Sequence, residues 1–138
     1  MGLFNVSTNQ PVEITAKQIY LEYGSILAER EEIEKAIKVD KEKFIFTNYR
    51  LILVLLYKGD KYEFLSVPYS SIRKFSKVSK EVKDLNAELN IYLIHEDKPI
   101  KKILKNCEFI NDVYKLLSKY MYKLNIPVEK ELQSLKLN

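Results

Sequence analysis

The sequence feature that most limits the fold of this chain is a series of short segments in which apolar and polar residues alternate. The clearest example is Asp84–Ile94, where every second residue is apolar, the pattern of a strand with one buried face. Further strand-like segments occupy residues 33–39, 44–46, 50–57, 62–67, 72–80 and 100–105. Short turns such as Lys58–Asp60 join them, whereas parallel strands would need much longer crossovers. The sequence therefore predicts seven antiparallel strands in two packed sheets or a partly open barrel.

A short helix is predicted before the strands. Residues 15–18 match a capping box, in which Thr15 caps the amide of Gln18 and the Gln18 side chain reaches back. The helix should run to about Tyr23, where Gly24 supplies a stop.

After the last strand the apolar period changes to 3.6 residues, which is typical of an amphipathic helix. The face predicted to be buried carries Ile110, Val113, Tyr114, Leu117, Tyr120, Met121 and Leu124. Asn106 is the predicted N-cap, and Pro127 ends the segment. The predicted organisation is one domain over residues 1–124, with an N-terminal arm at 1–13 and a C-terminal tail at 125–138. The fold class is mainly β with terminal helices (α+β), and the C-terminal helix caps the partly open barrel.

Composition and charge exclude several classes of function. Lys and Arg number 23 against 19 Asp and Glu, and the only arginines are Arg30, Arg50 and Arg73, so the dense basic face of a nucleic-acid binder is absent. A single Cys and a single His leave no Cys- or His-based metal cluster and no catalytic dyad, and Cys107 is predicted to be a buried thiol. Three isolated glycines cannot build a phosphate-binding loop. We therefore expect no nucleic-acid partner, no metal or other cofactor, and no enzymatic activity.

The sequence also bears on the compartment. The first residues have no basic stretch followed by a long apolar run, so no secretion leader is predicted. The longest apolar run, Leu51–Tyr57, is far shorter than the ~18 residues that a membrane-spanning helix needs. A reduced, cytoplasmic protein fits these features best.

Several ordered blocks of this sequence resemble a family of short bacterial pleckstrin-homology-like (PH-like) proteins. The blocks are Met1–Phe4, Phe44–Val54, Val67–Ser76, Asp84–Leu89 and Asn111–Leu117. The resemblance covers about residues 1–122 and implies a PH-like barrel, ring-shaped homo-oligomers with pentamers among them, and no assigned biochemical activity. The chain departs from the family pattern in a less Gly-rich arm at residues 5–13 and in an extra tail from Asn125.

The segment Leu51–Leu56 is apolar on both faces, whereas a strand of a small barrel normally turns one face to water. Three large aliphatic side chains would then lie outside, and burying each of them is worth about 1.5–3 kcal/mol. Either the N-terminal helix lies over them or another subunit does, and the resemblance favours an oligomer. The candidate interface residues are Leu51, Ile52, Leu53, Val54 and Leu55.

A first group of lysines surrounds the turn between the first two predicted strands. It consists of Lys38, Lys41 and Lys43, with Asp40 and Glu42 interleaved. In many eukaryotic PH domains, basic residues of this loop hold inositol phosphates, so the three lysines are the candidate site for an anionic ligand. The interleaved acids cancel much of the field, and a solvated turn is the simpler interpretation.

A second basic group lies on both faces of the fifth predicted strand and therefore forms no single patch. Its members are Arg73, Lys74, Lys77, Lys80 and Lys83. Lysines of this kind are typical of an edge strand that is guarded against aggregation. Contact with an anionic membrane or an acidic partner is the alternative.

These features lead us to expect a non-enzymatic assembly or binding module. A PH-like barrel would form a homo-oligomeric ring and display several weak, identical surfaces together. The expected partners are further copies of the chain, pentamers included, and an unidentified protein. The alternative is a peripheral membrane module that contacts anionic lipid through Lys-rich loops.

Overall fold

Eight strands and two α-helices occupy the part of the chain that the computed structural model describes, residues 10–122. The strands are β1 (Val12–Ile14), β2 (Ile33–Val39), β3 (Glu42–Thr47), β4 (Arg50–Leu56), β5 (Tyr62–Pro68), β6 (Ile72–Val78), β7 (Ala87–Leu93) and β8 (Ile100–Leu104). Helix α1 (Ala16–Tyr23) follows β1, and helix α2 (Ile110–Met121) follows β8. Two single turns of 3₁₀-helix lie at Gly24–Ile26 and Tyr69–Ser71.

The strands form two antiparallel sheets that pack on a common core. The first sheet has the order β1-β2-β3-β4-β5, and the second has the order β6-β7-β8. Inward-facing residues of both sheets, such as Phe46 and Ile91, pack in one apolar cluster with Val113 and Leu117 of α2. This arrangement confirms the predicted mainly β, partly open PH-like barrel capped by the C-terminal helix, with one strand more than expected.

The additional strand, β1, lies within the predicted N-terminal arm. Its residues pair with the outer edge of β2, with Glu13 opposite Ile37, and Glu13 accepts a hydrogen bond from the ammonium of Lys35 at 3.0 Å. Three residues are too few to show a strand period, and the partner edge that orders them lies more than twenty residues further along the chain. Residues 1–9 of the predicted arm lie outside the described residues.

Helix α1 begins as predicted. The Thr15 hydroxyl accepts a hydrogen bond from the Gln18 amide at 3.2 Å, and the Gln18 side chain accepts one from the Thr15 amide at 3.2 Å. The α-helix ends at Tyr23, but Gly24 keeps a right-handed conformation with φ −54°. The glycine therefore begins a 3₁₀ turn and does not act as a left-handed stop.

Helix α2 begins later than predicted. The residue at its N-cap is Phe109, which makes no side-chain cap, whereas Asn106 has a positive φ of 49° and donates its amide to Asn86 Oδ1 at 2.9 Å. The prediction of Asn106 as N-cap is wrong because the helix begins only at Ile110, and the positive φ of Asn106 does not fit the extended backbone of an N-cap. The helix is described as far as Met121; the predicted end at Pro127 and the tail at 125–138 lie outside the described residues.

The turn between β3 and β4 is closed by a threonine. The Thr47 hydroxyl accepts hydrogen bonds from the amides of Tyr49 and Arg50, both at 3.0 Å. The neighbouring Asn48 does not adopt a positive φ. Its side chain instead accepts a hydrogen bond from the Glu32 amide at 2.7 Å. The hairpin is thus tied to the segment before β2.

Candidate functional site

Helix α1 covers the outer face of β4. Ile52 and Val54 on that face pack in a second apolar cluster with Ile19 and Tyr23 of α1. Ile52 and Val54 are 1% and 2% exposed, respectively. The sequence left open whether the N-terminal helix or another subunit covers this face. In the single chain, helix α1 covers it.

The inner face of β4 lies in the main core. Leu51 and Leu53 are fully buried there, and the partly buried Leu55 packs against the same cluster. The expected interface through residues 51–55 is therefore not an exposed surface: one face meets the core and the other meets α1. Self-assembly stays a prediction, but this strand lacks the free apolar face that first motivated it.

Beyond the end of α1, the outer face of the first sheet carries a cleft of about 390 Å³. Its floor is a row across three strands, in which Val54 is paired with Lys43 on one side and with Phe64 on the other. Its walls come from the end of α1, the following turn and β5. The lining residues are Glu22, Tyr23, Ser25, Ile26, Lys43, Val54, Tyr62 and Phe64.

An aromatic pair and a lysine are the chemically distinctive groups of this cleft. The rings of Tyr23 and Phe64 lie edge to face with centroids 6.3 Å apart. The ammonium of Lys43 lies 5.4 Å from the Tyr23 centroid and 3.6 Å from Glu22 Oε1. Burial raises the pKa of the Tyr23 hydroxyl. Burial opposes the charge on Lys43, but its hydrogen bond with Tyr23 and the nearby charges leave the pKa of that lysine above its usual value.

The structure separates the three lysines that were predicted to hold an anion. Lys38 and Lys41 are exposed. Lys43 lies directly across from Lys38 in the β2–β3 register, but its ammonium is engaged by Glu22 and Tyr23 in the cleft. The loop therefore does not present three convergent cations, and binding of an anionic headgroup there stays a prediction.

A buried ion pair ties the segment before β2 to the β3–β4 hairpin. Arg50 donates to Glu31 Oε1 at 2.8 Å and to Oε2 at 2.9 Å, while the Thr47 hydroxyl donates to Oε2 at 2.6 Å and the Ala28 amide to Oε1 at 2.8 Å. Burial by itself would raise the pKa of Glu31, but these donors outweigh it and lower the pKa to about 2. All acceptor sites of the Glu31 carboxylate face protein donors, so the ion pair with Arg50 is structural. Sequence reasoning missed it, although an arginine directly before a fully apolar strand was a usable signal.

Arg73, Lys74 and Lys77 of the second basic group lie on β6, which is an edge strand of the second sheet, as predicted, whereas Lys80 and Lys83 lie beyond its end at Val78. Arg73 and Lys74 flank the ring of Tyr92. Lys77 is held elsewhere, because its ammonium donates to the Val82 carbonyl at 2.7 Å and to Asn111 Oδ1 at 3.1 Å. These cations stabilise separate parts of the surface and form no single site.

The thiol and the imidazole offer no reactive centre in the described region. Cys107 is buried, as predicted, and burial raises its pKa to about 11. His95 lies in the turn between β7 and β8 with φ 68°. Within residues 10–122, no group of three or more His, Cys, Asp or Glu side chains converges in a way that could hold a metal ion.

The helices of the described region are both short. Neither combines the length with the apolar character that crossing a bilayer requires.

Comparison with known proteins gives the same fold and a family. A model of the bacterial PH domain matches residues 2–121. The uncharacterized protein YjqA of Bacillus subtilis is 34% identical over 121 residues, which is 86% of this chain and 97% of that protein.

Solved structures agree with this assignment. A DUF1696 family protein with a pleckstrin-homology domain from Shewanella loihica superposes with a TM-score of 0.70 at 28% identity, over 81% of this chain and 97% of that one. A pleckstrin homology domain from Shewanella amazonensis gives 0.67 at 28% identity, over 78% and 98%. Because the family model spans almost the whole chain and the barrel has the same architecture, this chain belongs to the bacterial PH-domain family.

Proposed function

We propose that this chain is a non-enzymatic module that assembles with copies of itself into a homo-oligomeric ring, pentamers included. Its role would be to display identical binding surfaces together, so that weak contacts add up. The biochemical target of those surfaces is left unassigned. The proposal rests on one observation, the free outer edge of β5, which carries no basic residue.

The edge of β5 differs from the other strand edges of the described residues. The strand spans Tyr62–Pro68, contains no Lys or Arg, and ends the first sheet without a further strand beside it. By contrast, β6 and β8 carry basic residues along their edges, and β1 has three residues. Natural proteins protect a free edge with charge, proline or a covering element. The β5 edge has only Glu63 and Pro68 as such protection over seven residues, which favours pairing with another chain.

The backbone groups that would pair can be named from the hairpin register. Tyr57 donates its amide to the Lys61 carbonyl at 2.9 Å, and hydrogen-bonded pairs alternate along an antiparallel ladder. The amides of Phe64 and Ser66 therefore point away from β4, toward the free edge. Pro68 is the next residue of this alternating series. An amide there would face the free edge, so the proline costs the β4–β5 ladder no hydrogen bond.

The two edges of the first sheet are formed by different strands, β1 and β5. A contact between the β5 edge of one copy and another surface of the next copy is heterologous, since it joins two unlike surfaces. Heterologous contacts close into rings when the rotation between copies allows it. The proposed ring therefore requires that β5 meet a different surface of the next copy, since antiparallel pairing of two β5 edges would give a two-fold dimer.

Light scattering coupled to gel filtration tests the proposal at micromolar concentration. We expect a mass that is a multiple of 16.3 kDa, about 82 kDa for five copies. Ser66→Pro removes an outward amide without touching the β4 ladder, so it should give monomers that keep the native circular dichroism spectrum. Ser66→Ala is the matched control: it loses the hydroxyl that Arg50 contacts at 2.9 Å but keeps the amide, and it should assemble normally.

A mass of 16.3 kDa for the unmodified chain would refute self-assembly. An intact oligomer of the folded Ser66→Pro variant would show instead that the ring, if formed, does not use the β5 edge.

A further inference from the structure

We propose that the cleft between α1 and strands β3, β4 and β5 binds a small organic acid with a flat, apolar body. The body would lie on Val54 between Tyr62 and Phe64, and the carboxylate would meet the Lys43 ammonium. This site is separate from the β5 backbone edge and does not depend on ring formation.

The size and lining of the cleft suit a small ligand. Its volume of about 390 Å³ falls within the range of about 300–1,000 Å³ that is usual for small-molecule sites. Most of the lining is apolar or aromatic, and its polar groups are few: Lys43, Glu22, Ser25 and the Tyr hydroxyls. Sites of this composition use the apolar surface for affinity and the few polar groups for orientation.

The charge distribution selects an anion. The side chain of Lys43 is 15% exposed, whereas that of its partner Glu22 is 57% exposed, and their charged atoms are 3.6 Å apart. At that distance the two groups form a loose ion pair, so a ligand carboxylate would have to displace Glu22 from the ammonium. Glu22 can turn to water at little cost, because it is already half-solvated. The resident ammonium also disfavours a cationic ligand by repulsion.

The aromatic groups select a flat ligand. Phe64 is 55% exposed and Tyr62 is 38% exposed. Both lie on β5, whereas Val54 on the neighbouring strand β4 is buried. Tyr23 already meets Phe64 edge to face, which leaves ring faces and edges available to a further aromatic group. An aromatic ligand would therefore bury surface that α1 leaves uncovered.

Calorimetry and NMR titration with 2-naphthylacetate test the site on the full chain at pH 7. We expect saturable binding of one probe per chain, with shifts confined to the cleft. Binding of the neutral analogue 2-naphthylacetamide should be about tenfold weaker or worse, because a charge-assisted hydrogen bond is lost. Lys43→Met should weaken the acid to the level of the amide, and Phe64→Ala should weaken both probes. Lys41→Met is the control, since Lys41 is exposed on the neighbouring turn, and it should bind normally.

The proposal is overturned if the acid shows no saturable binding at millimolar concentration, or if acid and amide bind the unmodified chain equally well. The comparison of acid and amide uses the unmodified chain, so it tests the proposal even if Lys43→Met fails to fold. Light scattering of the same samples keeps this result apart from that of the ring: binding by a monomeric chain would support the cleft and refute assembly.

Discussion

Removing the charge of Glu31 is the most informative perturbation of this fold. Its carboxylate has no exposed side-chain surface and accepts hydrogen bonds from Arg50, Thr47 and Ala28. Glu31→Gln keeps the shape of the side chain but removes the negative charge, and it places a donor group where acceptors are required. The Arg50 guanidinium, 23% exposed, would then be largely buried beside a neutral amide.

The size of the effect follows from the pKa of Glu31. The folded protein lowers that pKa from 4.5 to about 2, and a difference of this size corresponds to about 3 kcal/mol of folding free energy at pH 7. Loss of one partner of a buried pair typically costs a similar amount, about 3–5 kcal/mol. We therefore expect Glu31→Gln to lose about 3 kcal/mol and to lower Tm by roughly 10 °C.

The pH dependence has a defined sign. A carboxyl group whose pKa is depressed in the folded state contributes its stability above the unfolded pKa of 4.5, and that contribution is lost as pH falls toward about 2. The glutamine variant has no such group. The difference in unfolding free energy between the two proteins should therefore be constant from pH 7 down to about pH 5 and should shrink progressively below it.

Urea unfolding followed by circular dichroism measures both quantities at a fixed protein concentration, because assembly would make stability concentration-dependent. Glu13→Gln is the matched control: it removes the charge that faces Lys35, but the Glu13 side chain is 52% exposed, so its cost should stay below about 1 kcal/mol. A loss for Glu31→Gln no larger than that of the control would refute the reasoning. A difference that does not shrink in acid would also refute it.

Two further predictions concern the first helix and the thiol. Thr15→Ala should destabilise the chain by about 1 kcal/mol in urea unfolding, whereas Thr15→Ser, which keeps the capping hydroxyl, should not; equal effects would show that the capping box contributes nothing. Cys107, with its pKa raised to about 11 and 1% of its surface exposed, should react with Ellman's reagent at pH 8 roughly a hundredfold more slowly in buffer than in denaturing urea. A fast reaction of the folded protein would contradict its buried placement.

The parts of the fold that the sequence predicted are those with a local cause. Alternation of apolar residues determines which face of a strand is buried wherever the strand packs, so Asp84–Ile94 could be recognised without knowledge of its neighbours, although its ladder is confined to Ala87–Leu93. The start of α1 depends on the contact between Thr15 and Gln18, three residues apart. Short turns then made an antiparallel barrel the expected architecture.

The parts that were missed depend on partners distant in the chain. β1 is a strand because the edge of β2 was free to pair with it. Asn106 is not a helix cap because it lies before the helix with a positive φ, where its backbone amide pairs with the distant Asn86. No periodic pattern in the sequence reveals the Glu31–Arg50 pair or the cleft at Lys43, because the residues of each come from separate segments of the chain.

By itself, the sequence established a mainly β chain with a helix toward each end and one strand, Leu51–Leu56, that is apolar on both sides. It could not decide what covers the second side, since a helix of the same chain and a neighbouring copy would bury the same side chains equally well. In the tertiary structure α1 covers it, because Ile19 and Tyr23 of that helix pack in one buried cluster with Ile52 and Val54. The tertiary structure also left Phe64 beyond the end of that helix, and this placement, absent from any local pattern, created the cleft.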